Sequence, residues 1–323
     1  MPHSYDPVQA EASDVYSAML LLASRRETWD DEARLALEAV APGAVGYRSP
    51  VLTDATPLPD MPWRWVQAAL WQMYVNLVLL CEFDGPEYVH QARVGWRRLR
   101  CAIRLLKSID YLPEAPDAEV LSPLGDRLGE LRDLDVVRLD VLPRFVQAQA
   151  GMMGLAEWAH IDDGLAQSAA RQREALRSIL LRPDIGAGLW DYVVWLQALQ
   201  SSGHALSGQQ APSHALQRWA REHVRAMHRK FRRTLKNAKD PVALHRARIQ
   251  AKRLRYAVED FAHLLPREAR GWLRDAKKIQ AGLGDARDLV RAADILALHG
   301  ARELAAHLRV VAARLEAAAL ADK

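Results

Sequence analysis

The chain has 323 residues, half of them apolar, with a formal net charge of +4. That much apolar material excludes wholesale disorder and suffices for two compact units or one extended helical domain. Charge is unevenly spread: residues 1–89 hold 5 Lys/Arg against 13 Asp/Glu, and the remainder holds 39 against 27. This predicts an acidic leader followed by a basic, anion-seeking body.

Residues 1–60 read as that leader and a linker. Helical spacing runs roughly from Ser13 to Val40, and the Pro/Gly-bearing stretch Ala41–Pro62 connects it to the body. The first residues lack a basic segment followed by an apolar run, so no signal peptide is expected. From Trp63 onward apolar residues recur at helical spacing and strand-like alternation is nearly absent, which predicts an all-α fold. Breaks are expected near Phe83–Pro86, Leu112–Pro116, Gly151–Gly154, Pro183–Gly188, Ser201–Pro212, Asp240–Pro241 and Pro266. The apolar run Ala68–Leu80 is interrupted by Gln72 and Asn76 and is too short for a membrane span. Cys81 and Cys101 form no disulfide framework, as suits a reducing cytosol. Trp63, Trp65, Trp71, Trp190 and Trp195 read as core, whereas Trp96 lies on a basic helix.

A shift of 155 residues aligns Pro86–Leu105 with Pro241–Asp260 at 8 of 20 identical positions. The same shift aligns Leu128–Leu134 with Leu283–Leu289 at 5 of 7. One offset serving two separated motifs predicts a duplication. The body, residues 61–323, therefore divides into pseudo-symmetric halves, about 61–185 and 186–323.

Each repeat opens on a helix start, Gly85–Pro86 in the first and Asp240–Pro241 in the second. His90, Arg93, Arg97, Arg100, Arg104 and Lys107 then recur every three or four residues and share a face about 100° wide. No Asp or Glu lies between Tyr88 and Ile109, and Ala92, Leu99, Ile103 and Leu106 are left for packing. The second stripe is His245, Arg248, Lys252 and Arg255, shortened because Glu259 stands where the first repeat has Arg104. A third precedes it: Arg218, Arg221, Arg225, His228, Arg229, Arg232 and Lys236, flanked by Lys230 and Arg233, whose counterpart in Trp63–Leu79 is almost uncharged. Like charges at this spacing weaken a helix by roughly 0.3 kcal/mol per pair, so such rows call for an anion. Arginine forks grip two phosphate oxygens, and a protonated histidine donates from both nitrogens.

Gly129 and Gly284 permit close helix approach or a bend, and Asp133 and Asp288 are expected to accept hydrogen bonds that aim nearby arginines. Lys277, Lys278 and Gln280 are further candidate anion contacts.

His90-x-x-Arg93-Val94-x-x-Arg97-Arg98-Leu99-Arg100 resembles the first signature of the CHAD family, the conserved histidine α-helical domains. His245-x-x-Arg248-Ile249-x-x-Lys252-Arg253-Leu254-Arg255-Tyr256 resembles the second, and the paired Leu-Gly-x-x-Arg-Asp-Leu motifs are similar to its remaining hallmark. The resemblance covers roughly residues 61–323. It implies two pseudo-symmetric helical bundles forming one CHAD-like domain, with a basic surface or channel for inorganic polyphosphate and an association with polyphosphate granules in the cytoplasm. Carried over residue by residue, and joined to the third stripe, it gives a candidate set of His90, Arg93, Arg97, Arg98, Arg100, Arg104, Arg221, Arg225, Arg229, Arg232, His245, Arg248, Lys252, Arg253, Arg255, Lys277 and Lys278. The leader is too short for the CYTH triphosphate-tunnel domain that often precedes this family's domains, and it lacks that domain's Glu-x-Glu-x-Lys motif.

Three rivals are weighed. A phosphoryl-processing enzyme would use the histidines as acids, but there is no P-loop, Gly-x-Ser-x-Gly or Arg-His-Gly signature, and no metal-ligand spacing. A nucleic-acid binder would exploit the same cations, but no reading module or interleaved aromatics occur. A helical adaptor is the third. The expectation is a non-enzymatic polyphosphate binder with no catalytic residues, cofactor, metal or membrane partner.

Overall fold

The computed structural model describes residues 43–53, 55–148, 155–207 and 214–321. Among them there is no strand, so the all-α expectation holds. The helices are α1 (Met61–Glu82), α2 (Pro86–Leu106), α3 (Ser122–Val136), α4 (Leu142–Ala148), α5 (Leu155–Leu180) and α6 (Pro183–Ser207). They continue with α7 (Ala215–Lys236), α8 (Pro241–Asp260), α9 (Ala269–Leu298) and α10 (Arg302–Ala321). A π-helical turn, Val137–Val141, joins α3 to α4. The helical reading of residues 13–40 and the break at Gly151–Gly154 lie outside the described residues.

The duplication is visible in the helix boundaries. Shifted by 155 residues, α1 falls on α7 and α2 on α8 to within one residue at every end. Asp240 caps α8 by accepting from the Ala243 N–H at 2.8 Å, with Pro241 at the first helical position. Gly85 occupies the same place before α2 with no side chain to cap it. Downstream the repeats diverge, because the counterpart of the π-helical turn is plain α-helix within α9.

Two expected breaks are shifted. The first falls at Leu181–Arg182, and Pro183 then opens α6, since a proline at the first helical position has no N–H to leave unpaired. Ser201 to Ser207 continue α6. Gly203 is used there for close approach: a Cβ on it would lie 2.8 Å from the Pro59 carbonyl oxygen and 3.0 Å from Trp63.

The chain forms two compact units that interleave in sequence. The first comprises residues up to Gly129 together with Arg173–Leu216, and the second comprises Glu130–Gln172 with Gln217–Lys323. In the first unit α1 and α2 pack along each other around Trp65, Leu70, Leu77, Ala92 and Leu99, all essentially inaccessible. Gly95 makes this possible, since a Cβ there would sit 2.7 Å from the Met73 backbone nitrogen. α6 covers α1, where buried Tyr74 donates to the Leu189 carbonyl at 2.6 Å. Arg177 secures the end of α1, donating to the Leu80 carbonyl and to Asp84, as suits a cation at a helix C-terminus. The linker stretch is irregular but docked: Asn76 exchanges hydrogen bonds with both backbone groups of Val45, and Leu52 is buried.

In the second unit α9 and α10 form a hairpin whose turn needs the positive φ of Gly300. Leu134, Val137, Trp158, Ile161, Leu165, Leu296, Leu304 and Leu308 make its main core. α8 packs on α9, with Ala243 and Leu244 against Leu283. Trp219 of α7 meets Phe261 edge-on at 5.6 Å. Of the tryptophans expected inside, Trp63, Trp65 and Trp195 are buried and Trp71 is half-buried. Trp190 departs from that expectation. It lies at 38% exposure on the outer face of α6, whose inner face is filled by Leu189, Tyr192 and Val193.

Candidate functional site

In the first unit α2 turns Ala92, Leu99 and Leu106 inward as expected, whereas Ile103, expected with them, is half-buried and lines a cavity beside Arg100 and Arg104. Its cations then graduate along the helix. His90, Arg93 and Arg97 are half-buried, whereas Arg100, Arg104 and Lys107 are exposed. Gly129 faces Arg93: a Cβ on this glycine would stand 3.7 Å from the guanidinium Nε, in ordinary contact with it. Arg97 Nε is buried with no hydrogen-bond acceptor. Arg98 points elsewhere, at 8% exposure with its guanidinium 3.7 Å above the Tyr47 ring. Trp96 is also internal, edge-on to Tyr192 at 5.9 Å. Arg100, Arg104 and Lys107 line a cavity of about 1140 Å³ whose other wall carries Asp110, Glu114 and Asp117.

In the second unit the counterpart residues His245, Arg248, Lys252, Arg253 and Arg255 are all half-buried. His245 and Arg248 line a cavity of about 270 Å³ together with Arg287, Leu244, Leu283, Val242 and Glu316. Burial first, then the fields of Arg248, Arg287 and Lys252, hold the His245 imidazole below its usual pKa. The unliganded site therefore favours neutral His245, because burial disfavours its charged form and three cations add to that. Asp288 borders the same group. Although the residue keeps exposed surface, its carboxyl is crowded, and that desolvation raises its pKa against the pull of Arg248 and Lys252. Asp133 accepts from Arg291 Nε at 3.1 Å, so this carboxylate does aim an arginine. Gly284 has open space where a Cβ would stand, unlike Gly129.

The far end of the second stripe is acid-paired. Glu259 lies 3.8 Å from Arg255 Nε and 3.9 Å from Lys277 Nζ. Lys277 and Lys278 are exposed. On α7, Arg225, Arg229 and Arg232 are exposed, as are Arg218, Lys230, Arg233 and Lys236. Arg221 is committed to the fold, donating from Nε to the Leu264 carbonyl at 3.0 Å. His228 stacks on Trp272 with centroids 4.6 Å apart, which turns it toward α9.

Arg287 belongs with His245 and Arg248, yet the stripes alone did not select it. Its signal was the repeated Arg-Asp motif at the common offset. Glu316, which reaches the cavity from a distant segment, had no sequence signal, and neither had Tyr47, which holds Arg98 in the fold. Among the described residues no group of three or more His, Cys, Asp or Glu side chains could hold a metal ion, and no helix is long and apolar enough to cross a membrane.

The architecture defines a class: an all-helical protein built from two repeats, each carrying a His-headed basic helix and a Leu-Gly-x-x-Arg-Asp-Leu segment. The CHAD domain family model matches residues 65–297, and the chain belongs to that family. The fold is also similar to the crystal structure of the CHAD domain from the plant Ricinus communis. The two share 25% sequence identity at a TM-score of 0.69, over 85% of this chain and 92% of that one. No curated protein sequence matches.

Proposed function

We propose that this protein binds inorganic polyphosphate without transforming it, through the cations of its two His-headed helices. The observation that carries the reading is the convergence of His245, Arg248 and Arg287 on one cavity of the second unit, with Lys252 beside Asp288 at its edge. Such a group holds several positive charges in a partly desolvated place, where a phosphate is gripped more strongly than in open water. On the first unit Arg100, Arg104 and Lys107 offer an exposed row suited to phosphates as well. A polymer with one negative charge per unit answers such rows charge for charge, and membership of the CHAD domain family supports the same ligand. Action at polyphosphate granules in the cytoplasm follows from that ligand.

The test is the affinity of the wild type for long-chain polyphosphate against a variant with Arg93, Arg97, Arg248 and Lys252 all changed to Ala. The expected result is a loss on the order of a hundredfold or more and a shallower salt dependence, since fewer counterions are exchanged. Equal affinity in the two proteins sinks the proposal. Phosphate released from the polymer by purified wild type would replace it with an enzymatic reading. Stronger binding to RNA or DNA at the same salt would replace it with a nucleic-acid one.

A further inference from the structure

The two stripes end differently, and the residue responsible is Glu259. Under the 155-residue shift it occupies the place of Arg104, which lines the large cavity of the first unit. In the second unit its carboxylate stands within 4 Å of a cation on each of two helices, Arg255 on α8 and Lys277 on α9. Both separations exceed hydrogen-bond length, so Glu259 acts on these groups by charge and not by a fixed bond.

Its position along the helices gives that charge a consequence. Seven residues separate Lys252 from Glu259 on α8, about 10 Å at 1.5 Å per residue. Eleven separate Lys277 from Asp288 on α9, about 16 Å. The cavity group of His245, Arg248 and Arg287 thus lies at one end of the α8–α9 pair and Glu259 toward the other. Past Lys277, α9 runs back to Trp272, where His228 of α7 is stacked. There the exposed arginines of α7 begin another cationic surface. Glu259 is a carboxylate placed between the two.

We propose that Glu259 is a specificity-determining residue, an acidic stop that ends the polyphosphate path on the second unit before Arg255 and Lys277. This rests on the polyphosphate reading above and adds where the polymer leaves the unit. With Glu259 in place, the two positive charges of Arg255 and Lys277 are reduced to a net one, and a carboxylate stands between the cavity and the α7 surface. A phosphate advancing along α8 meets a like charge. Removing that charge raises the local net charge from one to two and lengthens the run of phosphates the unit engages, so the gain depends on polymer length.

The experiment compares wild type, Glu259→Gln, Glu259→Arg and the control Asp294→Asn, a carboxylate paired with Arg309 near the far end of α9. Each is titrated with tripolyphosphate and with long-chain polyphosphate across a salt series. Glu259→Gln is expected to bind the long polymer about three- to tenfold tighter, with a salt slope steeper by about one charge or more. Its affinity for tripolyphosphate, which fills the cavity end alone, stays within about twofold. Glu259→Arg gains more, and Asp294→Asn gains nothing. A second arm removes Lys277. In wild type Lys277→Ala changes little, because Glu259 already occupies that cation, whereas in the Glu259→Gln background it cancels much of the gain. Matching thermal melts establish that the variants fold. Equal gains for short and long polymers, or for Asp294→Asn, reduce the effect to net charge and overturn the stop. Unchanged or weaker binding by Glu259→Gln makes the carboxylate a support for Arg255 and also overturns it. Wild type that binds no polyphosphate overturns the underlying reading instead.

Discussion

Helices α2 and α8 descend from one pattern and present it in two ways. Both start at a proline, and both turn Ala92 or Ala247 and Leu99 or Leu254 inward. Yet α2 runs from half-buried cations to exposed ones beside a large cavity that also carries Asp110, Glu114 and Asp117, whereas α8 keeps its stripe half-buried and ends it in an acid of its own, Glu259. The difference teaches that a repeated signature fixes which residue types face outward together. The strength with which they hold an anion is set by what the neighbouring helices bring.

The comparison breaks most sharply at Gly95. Its repeat counterpart is Gln250, a long side chain tolerated half-buried on α8. On α2 the α1 backbone leaves no such room, with the Met73 nitrogen 2.7 Å and the Ala69 carbonyl oxygen 3.0 Å from any Cβ. Gly95→Gln is expected to destabilise the protein by about 3 kcal/mol or more, read from urea unfolding. Wild-type stability in that variant would mean α1 and α2 are not packed as described.

The next largest effect concerns Arg98, whose counterpart is Arg253. Held over Tyr47, Arg98 is expected to contribute about 1 to 2 kcal/mol through stacking. Arg98→Ala and Tyr47→Ala should each lower stability by about that much, and the double variant by little more than either alone. Additive losses in a double-mutant cycle would separate the two residues. A smaller difference lies at the helix starts. Asp240→Ala should cost about 1 kcal/mol by leaving the Ala243 N–H without its cap, a loss that cannot be reproduced at Gly85, where no side chain caps.

The smallest effect is a fraction of a proton. His245 has its pKa depressed in the unliganded protein, and a nearby phosphate raises it. Polyphosphate binding should therefore take up protons between the free and bound values, and affinity should rise as pH falls through the ordinary imidazole range. Stability of the unliganded protein runs the opposite way. The unfolded chain protonates this imidazole first, so the contribution of His245 to stability is lost as pH falls below that range. Calorimetry in buffers of different ionisation enthalpy measures the uptake, which His245→Gln should reduce.

Much of this molecule was legible in the residues. The common offset identified the duplication and placed α2 against α8, the Asp240–Pro241 start, and the inward Ala92 and Leu99, because each depends on contacts within a few residues or on a period of 3.6. The breaks expected from Pro183 and from Ser201 were misplaced by treating proline and small residues as stops. One is a helix opener, and Gly203 serves a close approach to Pro59 that only packing reveals.

The sequence by itself determined that the chain is helical, that it is duplicated, and that His, Arg and Lys recur on shared helix faces, since periodicity and repetition are properties of the linear order. Tertiary structure alone decided which of those cations serve the fold and which remain for a ligand. Arg98 lies over Tyr47, Arg221 reaches the Leu264 carbonyl, and Arg287 joins His245 at a cavity. The physical reason is that a charge takes its environment from whatever surrounds it in space, and those neighbours come from segments tens of residues away.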